Sequence, residues 1–275
     1  MIKDIVVNLS LGDQDPAGLY AISMAEVFEA HVLGVAFSYE PLMPYSASGS
    51  VPAQFIESQR ADSDQAARKA IARFDQAAKR AGVSSETLVL SASVSAASDQ
   101  LGHVGRRFDV VVLAQPGHNK PMPDSAINEG VLFECGRPVI FVPFIQKAGL
   151  KLNTVMVCWD GSRAATRAIA DSLPLLAKAK KVEIVIIGKK PPKSDEVSGA
   201  DLGQHLARHG LNVDVKRITA SDSDVPSTIL SYAADTSADM IVMGGYGHSR
   251  LREFVLGGAT RGLLEAMTVP VLMSH

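Results

Sequence analysis

Chemistry in this chain is most concentrated in one glycine-patterned stretch. It runs from Gly244-Gly245-Tyr246-Gly247-His248-Ser249-Arg250 to Leu256-Gly257-Gly258-Ala259-Thr260. Gly244 and Gly247 permit positive φ and leave no Cβ between the backbone and a ligand. Gly257 and Gly258 precede a stretch, Ala259 to Ala266, that reads as a helix. A helix amino end offers unpaired N–H groups and the positive end of the macrodipole, which suits a phosphate. The spacing matches neither the Walker A pattern nor the dinucleotide fingerprint, whose third glycine is missing here. Arg250 and Arg252 serve equally well as phosphate partners or as solvent-facing charges, and His248 and Ser249 stand in the same position.

Other reactive residues carry less. His205 and His209 have metal-ligand spacing on a predicted helix, but no H-E-x-x-H pattern and no third ligand accompany them, so they read as a solvated face. Cys135 and Cys158 read as buried small hydrophobes. Trp159, at a strand end beside Asp160, reads as packing beneath the loop. No G-x-S-x-G elbow supports Ser-His-Asp catalysis. With no catalytic base or metal cage to name, any hydrolysis of a bound phosphate compound is expected to be slow at most.

The elements that must hold the loop come in two copies. Asp4-Ile5-Val6-Val7-Asn8 recurs as Thr154-Val155-Met156-Val157-Cys158, Phe108 to Leu113 as Ala238 to Met243, and Arg137 to Val142 as Val269 to Met273. The offset falls from about 150 residues at the first pair to about 130 at the later two. A segment in the first copy, between Tyr39 and Gln76, therefore lacks a counterpart. In the second copy the expected order is strand Thr154–Trp159, helix Arg163–Ala179, strand Val182–Ile187, helix Asp201–His209, strand Val213–Ile218, helix Pro226–Thr236 and strands Met240–Met243 and Val269–Met273. The first copy has the same order, with a long helix from about Gln65 to Ala81. Near-continuously apolar strands separated by helices indicate a parallel sheet covered on both faces. The expected fold is α/β: two tandem doubly wound domains, each a five-stranded parallel sheet. The boundary is placed at 147/148, where Gly149 and lysines interrupt the pattern, and the fifth strand is free to pair copies within or between chains.

The pattern Gly244-x-x-Gly247-x9-Gly257, after a strand in a β-α unit, resembles the ATP-binding signature of the universal stress protein family. The likeness runs through both copies, so the chain resembles a tandem universal stress protein. That resemblance implies ATP or a related adenine nucleotide as ligand, with Asp160 at the adenine and ribose and Ile187 as an apolar contact to adenine. It further implies Gly244 and Gly247 at ribose and phosphates, and the amides of Gly257, Gly258 and Ala259 on the phosphate tail. Gly258 departs from the Ser or Thr usual there, a loss of ~1 kcal/mol for one hydrogen bond, and Thr260 offers a substitute hydroxyl. Any Mg²⁺ is expected to arrive with the nucleotide.

The first copy reads as a structural partner without a site. Ala114-Gln115-Pro116-Gly117 keeps one glycine, Pro121 and Pro123 interrupt the stretch after it, and Ser10 stands where the second copy has Asp160. The chain has 275 residues, 47% of them apolar and 20% charged, and a net charge of −2, which supplies a core and excludes a nucleic-acid footprint. No apolar run spans a bilayer and no signal-peptide core is present, so a cytoplasmic, regulatory or protective protein is expected. It is expected to act as a homodimer or as a pseudo-dimer within one chain. The rival expectation is an interaction module that keeps the fold and no longer binds nucleotide.

Overall fold

The computed structural model describes residues 1–41, 52–115, 124–188, 199–220, 225–245 and 258–275. The first half runs β1 (Asp4–Asn8), α1 (Pro16–Phe28), β2 (His31–Tyr39), α2 (Ala53–Ala81), β3 (Ser85–Ala92), α3 (Val94–Gly105), β4 (Val110–Ala114), α4 (Asp124–Glu134) and β5 (Val139–Val142). The second half runs β6 (Thr154–Cys158), α5 (Arg163–Leu176), β7 (Lys181–Ile187), α6 (Gly199–Arg208), β8 (Val213–Ile218), α7 (Val225–Asp235), β9 (Met240–Gly244), α8 (Gly258–Ala266) and β10 (Val271–Ser274).

Each half is the doubly wound parallel sheet that the sequence implies, but the two sheets are one. The strand order is β3-β2-β1-β4-β5-β10-β9-β6-β7-β8, and every neighbouring pair is parallel except β5 with β10. At that junction Val271 lies opposite Phe141, Leu272 opposite Ile140 and Met273 opposite Val139. Strands of the two halves therefore run in opposite senses, and their carboxyl ends lie at opposite edges of the sheet. Strand side chains alternate between two continuous cores. One lies under α1, α2, α5 and α6, the other under α3, α4, α7 and α8.

The repeated motifs carry repeated hydrogen bonds. Asp109 Oδ2 accepts from the N–H groups of Lys3 and Asp4 at 2.7 and 3.1 Å. Asp239 Oδ2 does the same for Asn153 and Thr154 at 2.6 and 3.0 Å. Each aspartate satisfies the first free donors of its half's leading strand, a role that the recurring sequence does not reveal.

Local differences separate the halves. Helix α2 has 29 residues against 10 in α6, so the unmatched segment of the first copy lengthens a helix that begins at Ala53, before the expected Gln65. Helix α5 stops at Leu176 rather than Ala179, and the last strand starts at Val271 because Pro270 offers no N–H to the ladder. The β1–α1 connection is longer than β6–α5 and wraps around Asp15, the N-cap of α1, whose carboxylate accepts from Gly18 N–H at 3.0 Å. Arg73 of α2 donates to the Ser10 carbonyl at 2.7 Å and sets its charge near Asp15. The connection between β5 and β6 is docked: Leu150 N–H donates to Ser23 Oγ of α1 at 3.0 Å, and a Cβ on Gly149 would stand 2.1 Å from that oxygen.

Two buried polar groups have consequences for stability. Tyr20 is 1% exposed and its hydroxyl has no hydrogen-bond partner among the described residues; burial, with the Asp239 carboxylate nearby, pushes the phenol's pKa up. Tyr20→Phe is expected to hold or raise stability by about 1 kcal/mol in urea unfolding. Burial raises the Asp15 pKa above its ordinary 3.8, against the N–H groups of Gly18 and Ser10 and the Arg73 charge. The native state then holds this proton more tightly than the unfolded chain. Stability from it is present at low pH and lost as pH rises from 3.8 through the folded value. Asp15→Asn keeps a capping oxygen, so its stability relative to wild type is expected to improve between pH 4 and pH 7 in denaturation midpoints.

Candidate functional site

In doubly wound sheets ligands sit outside the carboxyl ends of strands, where the strand order reverses. In the second half that point lies between β6 and β9. Asp160 follows β6 after one residue, Trp159, and is exposed there. Its Oδ1 accepts from Ser162 N–H at 2.9 Å, Gly161 takes φ +77° between them, and Ser162 Oγ in turn accepts from Ala165 N–H at 3.1 Å. The turn thus fixes Asp160 at the mouth with its second carboxylate oxygen unused by Ser162. Asp160 is among the residues expected from sequence, whereas Ser162 is not; its signal is an N-cap residue directly before a helical run.

Gly244 ends β9 and lies against the start of α5. A Cβ at this position would stand 2.5 Å from Ala165 N and 2.7 Å from the Ala164 carbonyl carbon, so glycine lets strand and helix close on each other. The helix after the loop begins at Gly258, with Ala259 and Thr260 in its first turn. Thr260 is 8% exposed. It takes the place that Asn128 holds in α4, where the Asn128 amide donates to the Ala114 carbonyl at 2.9 Å. Gly247 and Gly257, with Tyr246, His248, Ser249, Arg250 and Arg252, lie outside the described residues.

Ile187 ends β7 and is half-buried. Cys158, Ile218, Val225 and Met243 are also only partly buried and pack on the same core as Ile187, giving this edge an apolar wall. Burial, with the Asp160 carboxylate beside it, pushes the Cys158 thiol up to about 12, and burial raises Cys135 too, so both thiols stay protonated and unreactive. Trp159 is 8% exposed and packs within the opposite core. His205 and His209 are exposed, their ring centroids 4.9 Å apart, and no cluster of three metal-ligating side chains occurs among the described residues. No helix among them is long and apolar enough to cross a membrane.

The first half is built differently at the matching edge. Leu9 N–H donates to Val35 O as Trp159 N–H donates to Val185 O, which puts Ser10 in the place of Asp160. Gln115 N–H pairs with Val142 O as Gly245 N–H pairs with Ser274 O, which puts Ala114 and Gln115 in the places of Gly244 and Gly245.

Residues 151–275 match the sequence model of the Universal stress protein family. The chain is similar to universal stress protein Slr1230 of a Synechocystis strain, 26% identical over 173 residues, which is 60% of this chain and 57% of that protein; little more than half the relative's length is thus matched. A universal stress protein from Archaeoglobus fulgidus superposes on 98% of this chain and 94% of its own with a TM-score of 0.72 at 15% identity. The functionally unknown protein PA1789 of Pseudomonas aeruginosa superposes on 98% of this chain and 92% of its own with a TM-score of 0.59, also at 15% identity. At such identity the structures establish the fold alone. The sequence of residues 151–275 thus carries the signature of the universal stress protein family, within a fold that a universal stress protein adopts along the whole chain.

Proposed function

We propose that the chain is a tandem universal stress protein, with a degenerate domain over residues 1–147 and a nucleotide-binding domain over 148–275. It binds ATP, or a related adenine nucleotide, at one site in the second domain. The observation that carries this reading is the convergence of Asp160, Gly244 and the start of α8 on one strand-order switch point in the half that matches the family. The parts suit such a ligand. The wall with Ile187 is apolar enough for a base, Asp160 offers a carboxylate oxygen to ribose hydroxyls, and the amides of Gly258 and Ala259 begin a helix whose amino end attracts phosphate. Gly247 and Gly257 complete the set by their spacing in the sequence, with Thr260 in the helix's first turn. Mg²⁺ comes with the nucleotide, and hydrolysis is slow at most. The role is regulatory or protective, in the cytoplasm, with the β5–β10 pairing serving inside one chain as a pseudo-dimer; sedimentation of the full chain reads any further homodimerisation.

One observation favours a second reading, in which the fold persists as an interaction module. Gly258 brings no hydroxyl to the phosphate position, so the grip rests on backbone donors. Equilibrium dialysis with labelled ATP separates the two, because absence of binding at millimolar nucleotide eliminates the ATP site.

Substitutions locate it. Gly247→Val and Gly257→Val are expected to abolish ATP binding with the circular dichroism spectrum unchanged, whereas Arg252→Ala should weaken it less. Normal ATP binding by both glycine variants would put the site elsewhere. Gly244→Ala is expected to lower affinity and thermal stability together, since its Cβ meets the backbone of α5 at 2.5–2.7 Å.

A further inference from the structure

The first half touches the second at two places around the 246–257 segment: at Gly245, just before it, and at the far end of α8, the helix that follows it. At the first, a Cβ on Gly245 would stand 2.9 Å from Leu132 Cδ2 of α4, so the end of that leucine packs directly on the strand end. Next to it, the His275 ring nitrogen Nδ1 donates to the Gly245 carbonyl at 3.2 Å while Phe133 of α4 packs edge-on against that imidazole, centroids 4.7 Å apart. At the carboxyl end of α8, on the opposite edge of the sheet, Gln115, which follows β4 and is 4% exposed, donates through Nε2 to the carbonyls of Leu264 and Glu265 at 2.9 and 3.1 Å. Those carbonyls belong to the last turn of α8 and have no intrahelical partner, so the amide caps the helix from across the junction. The Gln115 oxygen accepts from Phe144 N–H at 3.2 Å, which leaves both ends of this buried amide engaged and its rotamer fixed.

We infer that Gln115, Leu132 and Phe133 are positioning residues for the ligand site of the other half: they set the distance and angle between the end of β9 and helix α8. The inference rests on the nucleotide reading for its ligand, but not for its geometry. The first half carries Gln115 where the second half carries Gly245: the glutamine side chain acts on the second half, and the glycine receives Leu132. The two equivalent positions do opposite jobs at one junction.

The test compares the full chain with Gln115→Ala, Gln115→Glu and Leu132→Ala. Ser23→Ala is the control, since it removes the Leu150 hydrogen bond of the β5–β6 connection, a contact that involves neither β9 nor α8. Two quantities are read: ATP affinity by equilibrium dialysis, and amide hydrogen exchange of ATP-free protein over 240–245 and 258–266. Gln115→Ala and Gln115→Glu are expected to speed exchange in α8 and to weaken ATP about fivefold, the equivalent of one neutral hydrogen bond. Leu132→Ala is expected to act chiefly on 240–245, and Ser23→Ala on neither segment nor on affinity. Unchanged α8 exchange in both Gln115 variants overturns the inference, as does an equal change in Ser23→Ala, which would mark a general loss of stability. If wild type binds no ATP, the nucleotide reading fails and the exchange arm alone decides on positioning. Leu132→Ala, which leaves Gln115 in place and buries no charge, keeps the inference testable on 240–245 where the Gln115 variants do not fold.

Discussion

Three opposed residue pairs, Phe141–Val271, Ile140–Leu272 and Val139–Met273, join two parallel sheets into one. A five-stranded sheet of this kind would otherwise end in β5 or β10 with a row of free N–H and C=O groups and bare apolar faces. Pairing them antiparallel satisfies the backbone and lets each core continue across the junction, so that Ile140 and Leu272 share one core while Phe141 and Val271 share the other. The opposite polarity of the strands then dictates the remaining layout. It sends the two sets of strand ends to opposite edges and brings the end of α4 to Gly245 and the end of α8 to Gln115.

That layout explains how two copies of one unit diverge without losing their common frame. The hydrogen bonds that set strand registration are shared, as the Asp109 and Asp239 pairs show. What differs is confined to the carboxyl edges. Around β6 a short turn leaves Asp160 exposed, whereas around β1 a longer turn buries Asp15 beside Arg73. The frame tolerates this because neither edge carries the junction's ladder.

Much of the fold is legible in the sequence, and for a physical reason: strand and helix periodicity is local, and the repeated runs at Asp4, Phe108 and Arg137 mark a duplication. The α/β class and the element order come from such signals, whereas Asp160 is expected only through the family resemblance. The joining of the two sheets does not, because Val139 to Val142 and Val271 to Ser274 read alike whether they pair with each other or with another chain. Helix α2 begins earlier than expected since Ala53 to Asp64 is mostly polar and its few apolar residues show no helical periodicity. In sequence Gln115 reads only as part of a degenerate loop. A side chain that acts across 149 positions of sequence leaves no mark in its own neighbourhood.

The docked connection between β5 and β6, held by Ser23 on Leu150 and fitted by Gly149, makes assembly of the two halves a unimolecular event. Dilution cannot separate partners that are covalently tethered, so the joined sheet owes nothing to the abundance of the chain in its cell. A symmetric pair of separate subunits must keep both surfaces self-complementary, and any substitution there is felt twice. Tethering releases that restriction, and each side of the junction evolves on its own.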